Sequence, residues 1–383
     1  MIKVDKGYKA PNIFLGALEK LRCISKMNIY NVIMAGGGGT RFWPISRQKT
    51  PKQLLNLSGV DTLINETIDR VNKLSHKDNL FIVTNKNQRE LMKETVDDKC
   101  HHNNILSEPI AKNTSAAIGF AAINIMKKYG DGIMCVYPAD HYIKLEEEFL
   151  DSLEKAIEVA QNEDKLVTIG IKPTFISTGY GYININKEKL IGKHGYEVVE
   201  FVEKPNFENA TKYVNSGEYL WNSGMFVWKV SKILDDFKRY LPKVYEKLNE
   251  ISEYIGTEKE VEMINKLYKE MPSISVDYGI MERSNEVVVV PGDFGWNDLG
   301  SWDVLGSIYP TDEEGNIKRG ENVVLDTRDS IIYSEQKLIT AVGVKDLIIV
   351  STEDSVMVCP KDRAQDVKHI VEKLKSEEKY TYL

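Results

Sequence analysis

The sequence predicts an α/β protein with a mixed, mostly parallel sheet, followed by a small β-rich module. From about residue 28 to 172, apolar strand-like runs alternate with amphipathic helical segments, the order that forms right-handed βαβ units. A polar, glycine-punctuated segment, Thr311–Asn322, then interrupts this pattern. Beyond it, five short β-rich runs separated by turns are typical of a small all-β domain. The 383 residues suffice for both units.

The elements of the first half follow from their periodicity. A short apolar run such as Ile29–Ala35 is typical of a strand buried in a parallel sheet. Apolar residues spaced three and four apart instead indicate an amphipathic helix. These criteria predict strands at 29–35, 79–85, 132–141 and 165–171, and helices at 62–74, 115–130 and 147–163.

The remaining segments complete the predicted domain organisation. Strands in the mixed region 173–310 extend the sheet or flank it as a lid, with two helical stretches between Lys232 and Glu270. A terminal helix is expected near 362–375. Residues 1–26 precede a second methionine, Met27, and are either an appended helix near 15–24 or a non-native start. The predicted domains are therefore 27–310 and 311–383, after an extension at 1–26.

Composition excludes several classes of function. The formal net charge of −7 argues against nucleic acid or an anionic membrane as the main partner. The 4 cysteines are far apart and lack metal-ligand spacing. No apolar run approaches the roughly 18–20 residues that span a bilayer. We therefore expect a cytoplasmic protein whose phosphate sites, if any, are local basic pockets.

A glycine-rich loop with cations after it is the first candidate site. "MAGGGGTRFWPISRQKTPKQ" spans 34–53, and Arg41, Arg47, Lys49 and Lys52 follow the glycines. The loop matches neither the dinucleotide-binding nor the P-loop pattern, and glycines alone would indicate only a tight turn. Backbone amides of such a loop form an anion-binding nest, and arginine forks fit phosphate oxygens. The combination favours a nucleoside triphosphate.

Two carboxylates form the second candidate site. Asp140 ends a buried strand in "YPADHYI", and Asp298 lies in "GWNDLGSW". Either alone is more often a cap or a turn residue. Together with a polyphosphate loop they favour a Mg²⁺ site, because Mg²⁺ takes one or two carboxylates plus phosphate oxygens. His141 is expected to form hydrogen bonds rather than to bind metal.

The middle of the chain carries groups suited to a sugar phosphate. Glu203 and Lys204 follow a strand in "FVEKP", where the simplest reading is an exposed ion pair of little energetic value. At a loop mouth, the lysine could instead bind a phosphate and the glutamate sugar hydroxyls. Tyr180, Trp221 and Asn222 supply stacking and hydrogen bonds beside small residues.

The motifs occur in the order seen in one family. "GGGGTRFWPISRQKTPKQ", "EPIAKNTSAA", "PADHYI", "TGYGYI", "EFVEKP", "WNSGMFVW", "VDYGIME" and "FGWNDLGSWD" together resemble mannose-1-phosphate guanylyltransferases over about residues 28–305. The resemblance implies a Rossmann-like nucleotidyltransferase domain and a β-helix-like C-terminal module. It also implies the Mg²⁺-dependent reaction of GTP with α-D-mannose 1-phosphate, giving GDP-mannose and diphosphate.

The resemblance also implies roles for individual residues. Arg41, Lys52, Asp140 and Asp298 would be catalytic, and the two aspartates would bind the metal. The nucleotide site would comprise Gly36, Gly37, Gly39, Thr40, Arg41, Lys52, Glu108 and Asn113, and the sugar-phosphate site Gly181, Glu203, Lys204, Asn222 and Asp298.

The sequence departs from the family pattern in two places. Lys112 opens "KNTSAA" where an arginine is usual, which keeps the charge but loses the two-point fork. Phe42 replaces a leucine. A phosphomannose isomerase activity is not expected, and a possible homodimer would use the C-terminal domain.

Two alternatives stay open at this stage. The enzyme could use dTTP, UTP or glucose 1-phosphate, because base recognition depends on geometry. A non-catalytic nucleotide-sugar-binding regulatory subunit is the other alternative, although such a protein should have lost a metal carboxylate or the loop arginine.

Overall fold

The computed structural model describes residues 27–383 of the chain. The predicted extension 1–26, with its expected helix, lies outside the described residues. No helix within the described part is long and apolar enough to cross a membrane.

A nine-stranded mixed sheet forms the centre of the first part of the chain. Its strands are β1 (Ile29–Met34), β2 (Leu80–Asn85), β3 (Ile105–Glu108), β4 (Ile133–Pro138), β6 (Leu166–Ile171), β7 (Tyr182–Ile191), β8 (Gly195–Val202), β9 (Tyr219–Lys229) and β10 (Val287–Gly292). They lie in the order β3-β2-β1-β4-β9-β6-β10-β8-β7. All but β8 and β9 run in one direction, which confirms the mixed, mostly parallel sheet.

Helices cover both faces of this sheet. They are α1 (Leu63–Val71), α2 (Arg89–Val96), α3 (Asn113–Tyr129), α4 (Glu146–Glu163), α5 (Phe207–Ser216), α6 (Val230–Tyr240), α7 (Pro242–Tyr254) and α8 (Glu260–Glu270). One apolar cluster joins α3, α6 and α7 to one face, and a second joins α1 and α4 to the other. Alternate residues of β1 divide between them: Val32 belongs to the first cluster and Ile33 to the second. This arrangement explains the unbroken apolar strand patterns.

The structure corrects the expected helices of the middle region. Three helices, α6 to α8, occupy the segment where two were predicted. Pro242 is the reason for the additional break, because it lacks a backbone N–H and favours the first position of a new helix. Helix α2 and strand β3 were not singled out from the sequence, since both are short.

A short antiparallel ribbon joins two parts of the chain at the sheet edge. Strand β5 (Tyr142–Ile143) pairs with β11 (Trp296–Asn297), and Tyr142 lies opposite Asn297. The ribbon therefore brings the segment after β4 beside residue 298.

The C-terminal part consists of two small sheets. Strands β12 (Ile317–Arg319), β14 (Ile331–Ser334), β16 (Leu347–Ser351) and β17 (Val356–Pro360) form one sheet, and β13 (Asn322–Leu325) and β15 (Ile339–Val342) form the other. Strands β12 to β16 alternate between the sheets with parallel pairing, and only β17 pairs antiparallel, with β16; the alternation confirms the β-helix-like module. Helix α9 (Val367–Ser376) follows β17.

One apolar cluster, here called the junction core, joins the C-terminal module to the first part. It contains Phe42 and Trp43 after β1, Leu299 and Trp302 after β11, and Ile348 of β16. Trp302 is fully buried, and its indole Nε1–H donates to the Trp43 carbonyl oxygen at 3.1 Å. Because Phe42 and Leu299 adjoin Arg41 and Asp298 in the chain, the C-terminal module supports the loops that carry two predicted site residues.

We expect Trp302→Ala to lower the free energy of unfolding by about 3–5 kcal/mol, because the change leaves a cavity and two unsupported aromatic neighbours. Trp302→Phe keeps an aromatic ring beside Phe42 and Tyr333 and should cost clearly less. Urea unfolding followed by circular dichroism measures both. An alanine variant as stable as the wild type would show that the junction core does not hold the module.

Candidate active site

Two adjoining cavities open at the edge where the parallel strands end. The larger has a volume of about 470 Å³ and the smaller about 260 Å³. Asp140, His141 and Asp298 line both, so the two cavities adjoin at these residues. Ligands of open α/β sheets typically bind at this edge.

The predicted site residues divide between these cavities. Gly36, Gly37, Glu108, Asn113, Gly181, Glu203 and Asn222 line the larger cavity, and Gly39, Thr40, Arg41 and Lys52 line the smaller. Lys204 lies outside both linings, although it is bonded to a residue that lines the larger one.

The glycine loop is held in shape by its neighbours. Gly39 has φ of 58°, and a Cβ atom there would lie 2.2 Å from the Cβ of Lys52, so only glycine fits. The Ser46 hydroxyl donates to the Gly39 carbonyl oxygen at 2.7 Å. The Gln53 Nε2–H donates to the carbonyl oxygens of Ala35 at 2.7 Å and of Gly37 at 3.1 Å. A Cβ at Gly37, in contrast, would meet no atom within 4 Å, so this residue faces open space.

Lys52 connects the loop to both candidate metal ligands. Its Nζ lies 2.8 Å from Asp140 Oδ2 and donates to the Asp298 carbonyl oxygen at 2.6 Å. Burial alone would raise the pKa of Asp140, but the Lys52 ammonium, together with smaller effects of other neighbours, keeps that pKa below its usual range. One buried cation therefore joins the ends of β1, β4 and β11.

Asp298 and His141 are oriented by aromatic neighbours. The Tyr180 hydroxyl donates to Asp298 Oδ1 at 2.7 Å. The Trp296 indole Nε1–H donates to His141 Nδ1 at 3.0 Å, so that nitrogen carries no proton. Burial lowers the pKa of His141 to about 4. The histidine is therefore a neutral hydrogen-bonding residue, in agreement with its expected role.

The donor set of Asp140 and Asp298 suits Mg²⁺ in composition. Both carboxylates line the smaller cavity beside Lys52 and Arg41, where a polyphosphate would supply the remaining oxygens. Within residues 27–383 no group of three or more His, Cys, Asp or Glu side chains forms a complete metal site. The two carboxylates would therefore need oxygens from a bound ligand to complete such a site.

Glu108 and Asn113 line the larger cavity, with the Glu108 carboxylate close to Gly36 of the glycine loop. Tyr268 donates its hydroxyl to Glu108 Oε1 at 2.9 Å, and burial raises the pKa of this glutamate to about 7. Asn113 begins α3 with φ of 67°, and its side-chain oxygen accepts from the Thr114 amide at 2.9 Å. Both groups thus have hydrogen-bonding oxygens at the end of the cavity near the glycine loop.

Gly181, Glu203 and Asn222 form a compact group in the lining of the larger cavity, here called the far wall. A Cβ atom at residue 181 would lie 2.6 Å from Glu203 Oε2 and 3.1 Å from Asn222 Cβ, so any larger residue would displace the Glu203 carboxylate. The Glu203 carboxylate is bonded to the Lys204 ammonium at 2.7 Å. Lys204 itself has φ of 50° and a side chain that is 58% exposed, so it stands at the cavity mouth.

Two cations near the motifs have other partners. Arg47 donates to the Tyr382 carbonyl oxygen and to Asp354 Oδ1, which fastens the loop after β1 to the C-terminal module. Lys112 donates to the Lys269 carbonyl oxygen at 2.8 Å. Of the four cations that follow the glycines, Arg41 and Lys52 line the smaller cavity, whereas Arg47 serves the contact between domains.

Sequence reasoning missed two residues of this site. Gln53 was quoted with the loop but given no role, although its amide fixes two loop carbonyls. Asp277, in "VDYGIME", accepts from the Asn222 Nδ2–H at 2.9 Å and lines the larger cavity. An acidic residue between apolar ones in that motif was the available signal.

We expect Glu108→Gln to stabilise the fold at pH 8. A carboxylate whose pKa is raised from 4.5 to about 7 destabilises the folded state as the pH rises between these values, and the cost is then constant at about 3 kcal/mol. The amide removes this cost while its oxygen still accepts from Tyr268. Urea unfolding at pH 5.5 and pH 8 should show the smaller gain at pH 5.5. A difference independent of pH would contradict the raised pKa.

Known proteins resemble the chain in both parts. Residues 30–315 match the nucleotidyl transferase family, and residues 320–374 match the MannoseP isomerase/GMP-like beta-helix domain. The mannose-1-phosphate guanylyltransferase of Salmonella montevideo is 38% identical over 92% of this chain and 75% of its own length. The enzyme RfbM of Salmonella typhimurium, of the same name, is 40% identical over 93% of this chain and 74% of its own.

A solved structure agrees with these relatives. The crystal structure described as mannose-1-phosphate geranyltransferase from Thermus thermophilus has a TM-score of 0.82 and 32% identity, covering 91% of this chain and all of that one. The family, fold and enzyme class predicted from the motifs are thereby confirmed. The chain belongs to the mannose-1-phosphate guanylyltransferase family of nucleotidyltransferases.

Proposed function

We propose that this chain transfers a guanylyl group from GTP to α-D-mannose 1-phosphate, which yields GDP-mannose and diphosphate. The observation that carries the proposal is that the two cavities share Asp140 and Asp298 in their linings, with the Lys52 ammonium paired to Asp140 on the side of the smaller one. A triphosphate fits the basic smaller space beside the glycine loop, and a sugar fits the polar wall of the larger one. The relatives named above support this pairing of substrates.

The proposed reaction is an in-line displacement at the α-phosphorus of GTP. A phosphate oxygen of mannose 1-phosphate forms the new P–O bond, and the bond to the β-phosphate bridging oxygen breaks, releasing diphosphate. The attacking oxygen is already anionic at neutral pH, so the step requires no general base. Catalysis then depends on positioning and on neutralising charge.

The chain's own residues would share these two tasks. Lys52 and Arg41 stand where charge builds on the departing diphosphate, and the loop with Gly36, Gly37, Gly39 and Thr40 offers backbone amides to the phosphates. Lys204 at the cavity mouth would hold the sugar phosphate. Asp140 and Asp298 would bind Mg²⁺, which would offset the negative charge of the nucleotide phosphates.

Base and sugar recognition would fall to the two ends of the larger cavity. Glu108 can accept hydrogen bonds from adjacent N–H groups, the pattern on the Watson–Crick edge of guanine, and Asn113 lies close by. On the far wall Gly181 leaves room for a ligand beside Glu203 and Asn222, which offer an acceptor and a donor for hydroxyl groups.

We also propose that the enzyme is cytoplasmic and forms a homodimer through its C-terminal module. Free thiols at Cys100, Cys135 and Cys359 are in keeping with that compartment.

Diphosphate release by the purified protein tests the reaction directly. With Mg²⁺ and mannose 1-phosphate, we expect release with GTP and at most a few per cent of that rate with ATP, UTP or dTTP. Replacing mannose 1-phosphate by glucose 1-phosphate should also reduce the rate. A preference for another nucleotide or sugar would overturn the assigned substrates. Binding of GDP-mannose without any release would point to a regulatory subunit.

We expect Asp298→Asn to lower kcat by at least about 100-fold, the usual loss when one preorganised charged group is removed from a phosphoryl-transfer site. The amide oxygen still accepts from Tyr180, so the free energy of unfolding should change little. Asp293→Asn is the matched control, because Asp293 is exposed and lies on the same segment. An Asp298 variant with near-normal kcat would remove this residue from the mechanism.

A further inference from the structure

The Asn222 side chain makes hydrogen bonds that determine what it can offer to a ligand. Its Oδ1 accepts from the Gly224 amide at 3.2 Å and from the Thr168 hydroxyl at 3.1 Å, whose single hydrogen is shared with the Met225 carbonyl oxygen at 3.2 Å. These two bonds use both lone pairs of the amide oxygen. Its Nδ2 donates one hydrogen to Asp277 Oδ1 at 2.9 Å. The second hydrogen of Nδ2 is the hydrogen-bonding group of this amide that these contacts leave unused. Asn222 lines the larger cavity, where a ligand could accept it.

The partners permit one orientation of this amide. Gly224 N–H can only donate, and an ionised carboxylate can only accept. If the amide were rotated by half a turn, its nitrogen would face the Gly224 N–H and its oxygen would face Asp277. Both contacts would then be repulsive, so Asp277 and Gly224 together keep the nitrogen on the Asp277 side.

Asp277 occupies a position built to hold it in place. It begins a π-helical turn, Asp277–Met281, closed by a hydrogen bond from the Glu282 amide to the Asp277 carbonyl oxygen at 2.9 Å. Turns of this kind are frequent at functional sites. The residues on either side of the turn are hydrogen-bonded to residues that line the larger cavity. The Val276 amide donates to Thr114 Oγ1 at 2.9 Å. The Glu203 amide donates to Glu282 Oε1 at 2.9 Å.

A carboxylate at this position has an energetic cost. Burial, followed by the nearby Glu203 charge, raises the pKa of Asp277 to about 6. An asparagine or serine at this position would avoid that electrostatic cost. Neither the motif resemblance nor the proposed roles above had assigned it a function.

We infer that Asp277 is a positioning residue that fixes the Asn222 amide as a hydrogen-bond donor toward a sugar hydroxyl oxygen. The wall then offers one N–H donor from Asn222 beside the Glu203 carboxylate acceptor. A hydroxyl pair on a sugar ring both accepts and donates, so it matches this arrangement. The inference rests on the proposed function, because it assigns the ligand of this wall to the sugar phosphate.

Calorimetric binding of mannose 1-phosphate and of GTP tests the inference with three variants. Asp277→Ala removes the acceptor, and we expect the Kd for mannose 1-phosphate to rise about 10-fold while the Kd for GTP stays within about twofold. Asp277→Asn retains a carbonyl oxygen for the Asn222 N–H and should restore the affinity to within about threefold of wild type. Asp236→Ala is the control, because Asp236 is a buried, ion-paired carboxylate on α6 outside both cavity linings. It should lower thermal stability without changing the Kd for mannose 1-phosphate.

The outcomes separate this inference from the proposed function. Unchanged mannose 1-phosphate affinity in Asp277→Ala, or equal losses for both ligands, would overturn the positioning role. An Asp277→Asn variant as weak as Asp277→Ala would also overturn it, because the charge rather than the acceptor would then be required. If the wild type binds mannose 1-phosphate but releases no diphosphate with any nucleotide, the proposed reaction fails while the binding data still decide the role of Asp277.

Discussion

The site depends on one ion pair whose cation, Lys52, is buried and whose carboxylate, Asp140, is partly exposed. The Lys52 ammonium contacts the Asp140 carboxylate and the Asp298 backbone at the same time. These three residues come from segments that follow three different strands. Removing the cation would leave Asp140 without its charge partner, which is the costly way to break such a pair. The same cation therefore neutralises the Asp140 carboxylate and fixes the backbone that carries the Asp298 carboxylate.

The surrounding packing makes this contact possible. Gly39 lets the glycine loop approach Lys52 more closely than any side chain would allow, and Gln53 ties the loop carbonyls to the sheet edge. On the other side, the β5–β11 ribbon brings Trp296 and His141 together beside Asp298. Hydrogen bonds from Trp296 to His141 and from Tyr180 to Asp298 then limit the rotation of both acceptor side chains. The site is thus preorganised by neighbours that do not themselves need to touch a substrate.

The C-terminal module also helps to preorganise the site. The junction core places Trp302 between the loop after β1 and the β-helix-like strands, and Arg47 adds polar bonds to Tyr382 and Asp354. Loops that carry charged site residues are otherwise among the more mobile parts of a protein. Here a second domain buries their apolar flanks, so the module supports the site without lining it.

The sequence by itself determined the alternation of strands and helices, the glycine loop, the strand-end carboxylates and the family. These features are local, because the spacing of apolar residues, the run of glycines and the order of the motifs are all properties of consecutive residues in the chain. It could not determine that Arg47 bonds to the C-terminal module or that Lys52 joins Asp140 to Asp298. Nor could it pair Asp277 with Asn222, 55 positions away. Such contacts arise only when distant segments pack together, and a charged side chain takes the partner that packing brings within reach. The tertiary structure therefore decided which of the predicted polar residues face the cavity and which hold it in shape.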